Sequence, residues 1–143
     1  MPESPDNAVC EPFRSRSLRP AGACLAVFLA AFVLYAATAN RGAQWQDSGS
    51  QILRIVTGVP IHPLGLALSH PLHYALGRWA ILPGLLEPCL AITLVSSVAA
   101  AVAVTCVFGC VRSFTRRMGP ALFAAASLGV AQTFWRLATI TEV

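Results

Sequence analysis

Lysine is missing from this sequence altogether, and charge of either sign is sparse. Ten arginines and six acids make up 11% of 143 residues, under half the share usual in a soluble domain. Such scarcity argues against a fold that solvates its surface in water. The net charge of +4 comes without a basic stripe interleaved with stacking aromatics, so no nucleic-acid partner is expected. Paired CxxC units are lacking too. The five cysteines, Cys10, Cys24, Cys89, Cys106 and Cys110, are odd in number, and four of them lie in or beside apolar runs, which speaks against a disulfide framework. Cys106 and Cys110 share a helical face but read as small hydrophobes rather than as metal ligands. The chain also has no internal repeat, GxSxG elbow, phosphate loop, dinucleotide fingerprint or HExxH pair, so those chemistries find no foothold.

What the sequence has instead is uncharged length. Apolar residues form 56% of the chain and gather into runs, where a soluble core would space them at helical or strand periods. Residues 1–20 combine four prolines with Ser, Asp, Glu and Arg, a composition expected of a flexible cytoplasmic tail. Residues 21–39 carry no charge and, as a helix, nearly cover the roughly 30 Å of bilayer hydrocarbon. A cleaved signal peptide is the rival reading, on the small residues Ala37-Thr38-Ala39, but the run exceeds the usual signal core. Residues 89–111 and 120–137 read as a second and a third span. Arg14, Arg16 and Arg19 precede the first span, and Arg112, Arg116 and Arg117 separate the other two, which puts the N-terminus and the short turn in the cytoplasm. The expected fold is therefore all-α and polytopic, with about three transmembrane helices.

The first outside loop, residues 40–88, holds every histidine. Prolines and glycines interrupt it too often for another span, but Gly49 to Val59 and Pro71 to Leu82 suit short helices lying along the membrane interface. Asp47, in Trp45-Gln46-Asp47-Ser48-Gly49, is the candidate catalytic residue. A carboxylate close to the lipid boundary suits deprotonation or positioning of an acceptor hydroxyl, and a turn or helix cap is the plainer role for Asp-Ser-Gly. His62, His70 and His73 fall within twelve residues but match no zinc spacing, so His62 and His70 are candidates for binding phosphate or hydroxyl. Arg54 and Arg78 offer guanidinium forks to phosphate oxygens, with lipid headgroups as the simpler partner. Glu142 follows the third span and falls on the same side as Asp47.

In order and placement these segments resemble a polytopic family marked by an Asp-Ser-Gly-Glu signature, a His-Pro-Pro-Gly-Tyr-Pro-Leu signature and a Trp followed by Glu-Val-Tyr. Here the matching residues are Asp47-Ser48-Gly49, His62-Pro63-Leu64-Gly65 or His70-Pro71-Leu72, and Trp135 with Glu142-Val143. The animal members of that family are transmembrane protein O-mannosyltransferases with the GT-C glycosyltransferase fold. The resemblance implies inverting transfer of a sugar from a polyprenyl-phosphate donor to a protein or glycan acceptor on the extracytoplasmic face. It places Asp47 and Glu142 at the catalytic positions; Trp45, His62, His70, Arg54 and Arg78 are the candidate substrate-binding residues beside them, and neither a metal ligand nor a covalent cofactor is expected. Ser50 stands where the family often has Glu, and Leu64 and Leu66 replace Pro and Tyr. These departures point to a bacterial branch and an inner-membrane location. Three spans do not enclose a lipid-sugar cavity, so the chain reads as the amino-terminal part of a longer enzyme. The alternative from another class is a small non-enzymatic membrane protein that assembles with partner helices through Ala- and Ser-rich faces. A transporter fragment is disfavoured, since the expected spans hold no ionisable group at mid-depth.

Overall fold

The computed structural model describes residues 20–42, 46–61 and 70–141. The expected tail lies outside them, as do Trp45, His62 and Glu142. The described residues form six helices and no strand: α1 Pro20–Thr38, α2 Gln46–Thr57, α3 Pro71–Ile81, α4 Pro88–Thr115, α5 Met118–Gly129 and α6 Gln132–Thr139. Two of these, α1 and α4, are long and apolar enough to cross a membrane. At 1.5 Å per residue they extend about 28 Å and 42 Å. Only 17% of the apolar window of α1 and 33% of that of α4 is buried, whereas the central helix of a soluble protein would be mostly covered. Leu25, Leu29 and Val33 of α1, and Val98 and Val102 of α4, accordingly face outward.

Local chemistry sets the ends of α4. Pro88 occupies the first turn, where its missing N–H costs nothing, and the Glu87 carboxylate accepts from the backbone N–H groups of Cys89 and Leu90 at 3.3 and 3.2 Å. At the other end Arg116 turns left-handed at φ 55°, and its N–H caps the carbonyl of Arg112. The arginine turn then reverses the chain into α5.

The segment expected as one continuous third span is two helices. α5 stops at Gly129, Ala131 is extended at φ −60° and ψ 126°, and α6 restarts at Gln132. The break leaves the Gly129 carbonyl without its helical donor, and the Tyr35 hydroxyl of α1 supplies one at 2.9 Å. Gly129 has no side chain to obstruct this approach, since a Cβ there would lie 3.3 Å from the tyrosine oxygen. Phe134 and Trp135 of α6 then pack edge-on to the Tyr35 ring at 6.3 and 5.5 Å.

Despite the break, α5 and α6 together follow the length of α4. Gly129 lies beside Val104, the Ala138 carbonyl accepts from Ser97 Oγ at 2.7 Å, and Thr141 Oγ1 meets Thr93 Oγ1 at 3.0 Å. One number rises as the other falls, which is an antiparallel register. α1 runs the other way relative to α4: Tyr35 meets Gly129, and Asn40 N–H donates to the Thr139 carbonyl at 2.9 Å. The chain thus goes up through α1, down through α4 and up again through α5 and α6. A small-residue core of Ala23, Ala100, Ala121, Ala125 and Ala138, with Val104, Tyr35 and Phe108, permits this close approach.

Candidate functional site

The helices expected within residues 40–88 are present as α2 and α3, and both pack on the first turns of α4. Ile52 and Ile55 of α2 join Ile92 of α4 in a second apolar cluster, with Tyr74, Ile81 and Cys89 around it. Gly77 makes the α2–α3 crossing tight, because a Cβ there would fall 2.8 Å from Ile55 Cδ1. α3 does more than skim the end of the bundle. Its residues Leu72, His73 and Leu76 border a groove of about 380 Å³ with Val95, Ser96 and Ala99 of α4 and Phe134 and Leu137 of α6. Leu72, Leu76 and Trp79 form an apolar stripe along the rim that stays exposed, Trp79 at 78%, and Leu76 and Trp79 also border a second groove against Leu94 and Val98 of α4.

Asp47 stands in the first turn of α2, where a carboxylate opposes the positive end of the helix dipole, and it is exposed. The buried face of the same helix carries Ser48, Gln51 and Arg54. Arg54 lies seven positions after Asp47, so about 10 Å of helix axis lies between them. Arg54 turns inward and holds the exit of α2. Its guanidinium donates to Gln51 Oε1 at 2.8 Å and to the Pro60 carbonyl at 2.6 Å, while its own carbonyl accepts from Gly58 and Val59 N–H. Gly58 makes that cap possible by adopting φ 81°. Arg78, from α3, donates through Nη1 to the Ile55 carbonyl at 3.1 Å. The two arginines read from sequence as phosphate ligands therefore meet at the carbonyl end of α2, where a cation is favoured.

His70 immediately precedes α3 in a left-handed conformation, φ 42° and ψ 62°, and its side chain makes no capping bond. A non-glycine residue in this region is strained, the more so before a proline. His73, one turn on, was not singled out by sequence, yet its environment is the more unusual of the two. Both ring nitrogens are enclosed and have no hydrogen-bond partner. Burial first, and then the charge of His70, push its pKa below the usual imidazole value. The signal available in sequence was its place three residues after His70 in an otherwise apolar stretch.

Glu142 lies outside the described residues, but its neighbour Thr141 is fully buried and fixed against Thr93. Thr93 also donates to the Cys89 carbonyl at 2.9 Å, which ties the end of the described chain to the first turns of α4. Asn40, which leads toward Asp47, is tied to Thr139 in the same region. One end of the bundle therefore gathers the close of α1, the start of α4 and the close of α6. Among the described residues no group of three His, Cys, Asp or Glu side chains is placed to hold a metal ion, and Cys24, Cys89, Cys106 and Cys110 are free thiols. No family model, curated protein or solved structure matches the chain.

Proposed function

We propose that the chain is embedded in a membrane in three passes, α1, α4 and the α5–α6 pair, and belongs to a glycosyltransferase that uses a polyprenyl-phosphate sugar. In this reading the N-terminus and the arginine turn are cytoplasmic, and the opposite end of the bundle faces outward. Asp47 acts there on the acceptor hydroxyl, and Glu142 joins it from the chain beyond α6. Trp45, His62 and His70 serve substrate binding. Arg54 and Arg78 contribute by fixing α2, and Arg78, half-exposed, keeps nitrogens available for a phosphate oxygen. Membrane lipid covers the outward faces of α1 and α4 and the Leu72, Leu76 and Trp79 side of α3.

The observation that carries this reading is the convergence of two distant segments. The Asn40–Thr139 and Thr93–Thr141 bonds bring the stretches leading to Asp47 and to Glu142 to one end of the bundle. A two-carboxylate site needs such proximity, because the acceptor must be oriented and deprotonated in one place. The broken third pass also suits a bilayer, where backbone groups freed by a break must find partners within the protein, as Gly129 does in Tyr35.

The test is sugar transfer from a polyprenyl-phosphate donor in membranes that contain the enzyme to which this chain belongs. Asp47→Asn is expected to lower the rate by about 100-fold or more, the usual contribution of a positioned acid or base. Unchanged transfer by that variant would remove Asp47 from the mechanism.

A second reading, a non-enzymatic protein that assembles with partner helices, is favoured by one feature. A groove of about 260 Å³ between α1 and α5 is lined by Ala30, Ala31, Ala125, Ala126 and Gly129, the residue types that let helices pack closely in lipid. Ala30→Leu distinguishes the two readings: it disrupts a partner complex in native membranes if assembly is the function, and leaves sugar transfer intact if catalysis is.

A further inference from the structure

His73 sits in a seam of the fold that the proposed chemistry does not use. A neutral imidazole has one donor and one acceptor, and here neither finds a partner. The groove beside it is walled by Val95, Ser96, Ala99, Ala100 and Ala103 of α4 and by Phe134, Leu137 and Ala138 of α6. None of these side chains titrates, and none bears a charge that would hold an imidazolium. On α3 itself the nearest ionisable neighbours are His70, which is cationic when protonated, and Tyr74. α2 packs on α3 at the Ile55–Gly77 crossing, and its charged residues Asp47 and Arg54 do not line this groove. Ser96 is the one polar side chain in that wall and it makes no bond to the ring, so protonated His73 meets burial, no hydrogen-bond partner and a like charge at once. Just before it lies His70, held left-handed ahead of Pro71, so the helix is entered through a strained joint.

We infer that α3 is a proton-operated latch, in which neutral His73 keeps the helix seated on α4 and protonated His73 releases it and widens the groove that α3 and α4 form with α6. The released helix binds a proton as free imidazole does, at about pH 6.5, and the seated helix binds one only at lower pH. Seating is consequently full above that value and weakens as pH falls through it toward the seated value. Within the window a single proton lowers the seated-to-released ratio by up to about tenfold per pH unit. Because α3 packs on α4 mainly through apolar surface, release exchanges those contacts for lipid and leaves the three passes intact.

Spin labels at exposed positions 75 on α3 and 123 on α5 report the latch. The full-length protein, freed of native cysteines and held in phospholipid nanodiscs, is measured between about pH 8 and pH 5. The expected result is a single short distance at the alkaline end and a second, longer distance that grows as pH falls with the midpoint of one proton. His73→Leu, which fills the same apolar seam without a titrating ring, is expected to keep the short distance throughout. His70→Asn, which tolerates the left-handed joint, is expected to keep the response. In wild type, ring chemical shifts of His73 should titrate at the same midpoint as the distance change. Three results would overturn the inference: an unmoved wild-type distance, an equal response in His73→Leu, or a His73 ring that titrates while α3 stays seated. The ring titration decides the matter even if His73→Leu does not fold.

Discussion

The Tyr35 hydroxyl donates to a carbonyl 94 residues away in sequence, and this bond supports the broken geometry of the α5–α6 pair. Tyr35→Phe preserves the ring and its edge contacts with Phe134 and Trp135 but leaves the Gly129 carbonyl buried without a donor. The expected loss is about 1–3 kcal/mol of stability, read as a lower thermal midpoint in detergent micelles. A variant as stable as wild type would show that water or a shifted backbone replaces the bond. At this scale sequence reasoning located Asp47, His70, Arg54 and Arg78 as noteworthy polar residues in an apolar chain. It could not assign the arginines their place, because each spends its hydrogen bonds on carbonyls, Pro60 for one and Ile55 for the other, that no motif distinguishes from any other carbonyl. His73 escaped for a related reason: the groove beside its ring is walled by α4 and α6, which are distant in sequence.

Among the elements, α2 and α3 are bounded by signals visible in sequence. Gly58 ends α2 and Pro71 begins α3, and both helices lie within two or three residues of the expected limits. The contact between them rests on Gly77. Gly77→Val would place branched carbon against Ile55 and is expected to weaken the pair by about 1–3 kcal/mol, as overpacking usually does. Limited proteolysis within residues 46–81 should accelerate in that variant, and Ile55→Ala in the same chain should restore part of the resistance. If the single variant resists protease as well as wild type, the crossing is looser than described. The outward side of α3 yields a separate expectation. Trp79 projects from a stripe with Leu72 and Leu76, and an indole in contact with lipid is quenched by brominated acyl chains. Strong quenching of Trp79, with Trp45 and Trp135 replaced by Phe, places α3 against the bilayer, and fluorescence indifferent to brominated lipid would place that face in water. The break between α5 and α6 was hidden at this scale. Residues 120–137 hold one charge, Arg136, near the end and no proline after Pro120, so an unbroken helix was the natural expectation; what stabilises the break is supplied by α1.

For the molecule as a whole, the alternation of uncharged runs with an arginine-rich turn already implied an up, down, up path, and the described helices follow such a path in their packing. Run length conveys it because a helix that must bury its polar backbone in hydrocarbon needs about twenty apolar residues whatever their order. The proposed site is less evident in sequence, since Asp47 and Glu142 lie 95 positions apart, and only the Asn40–Thr139 and Thr93–Thr141 bonds show that the stretches leading to them reach one end of the bundle. Catalysis on the outer face, as proposed, requires this end of the bundle to lie outside the membrane. The most direct measurement places a single cysteine at position 47, or at position 116 in the arginine turn, in an otherwise cysteine-free protein. Intact cells are then treated with a membrane-impermeant maleimide. Labelling at 47 without permeabilisation, and at 116 only after it, is the expected result; labelling at 116 in intact cells with 47 protected would contradict it.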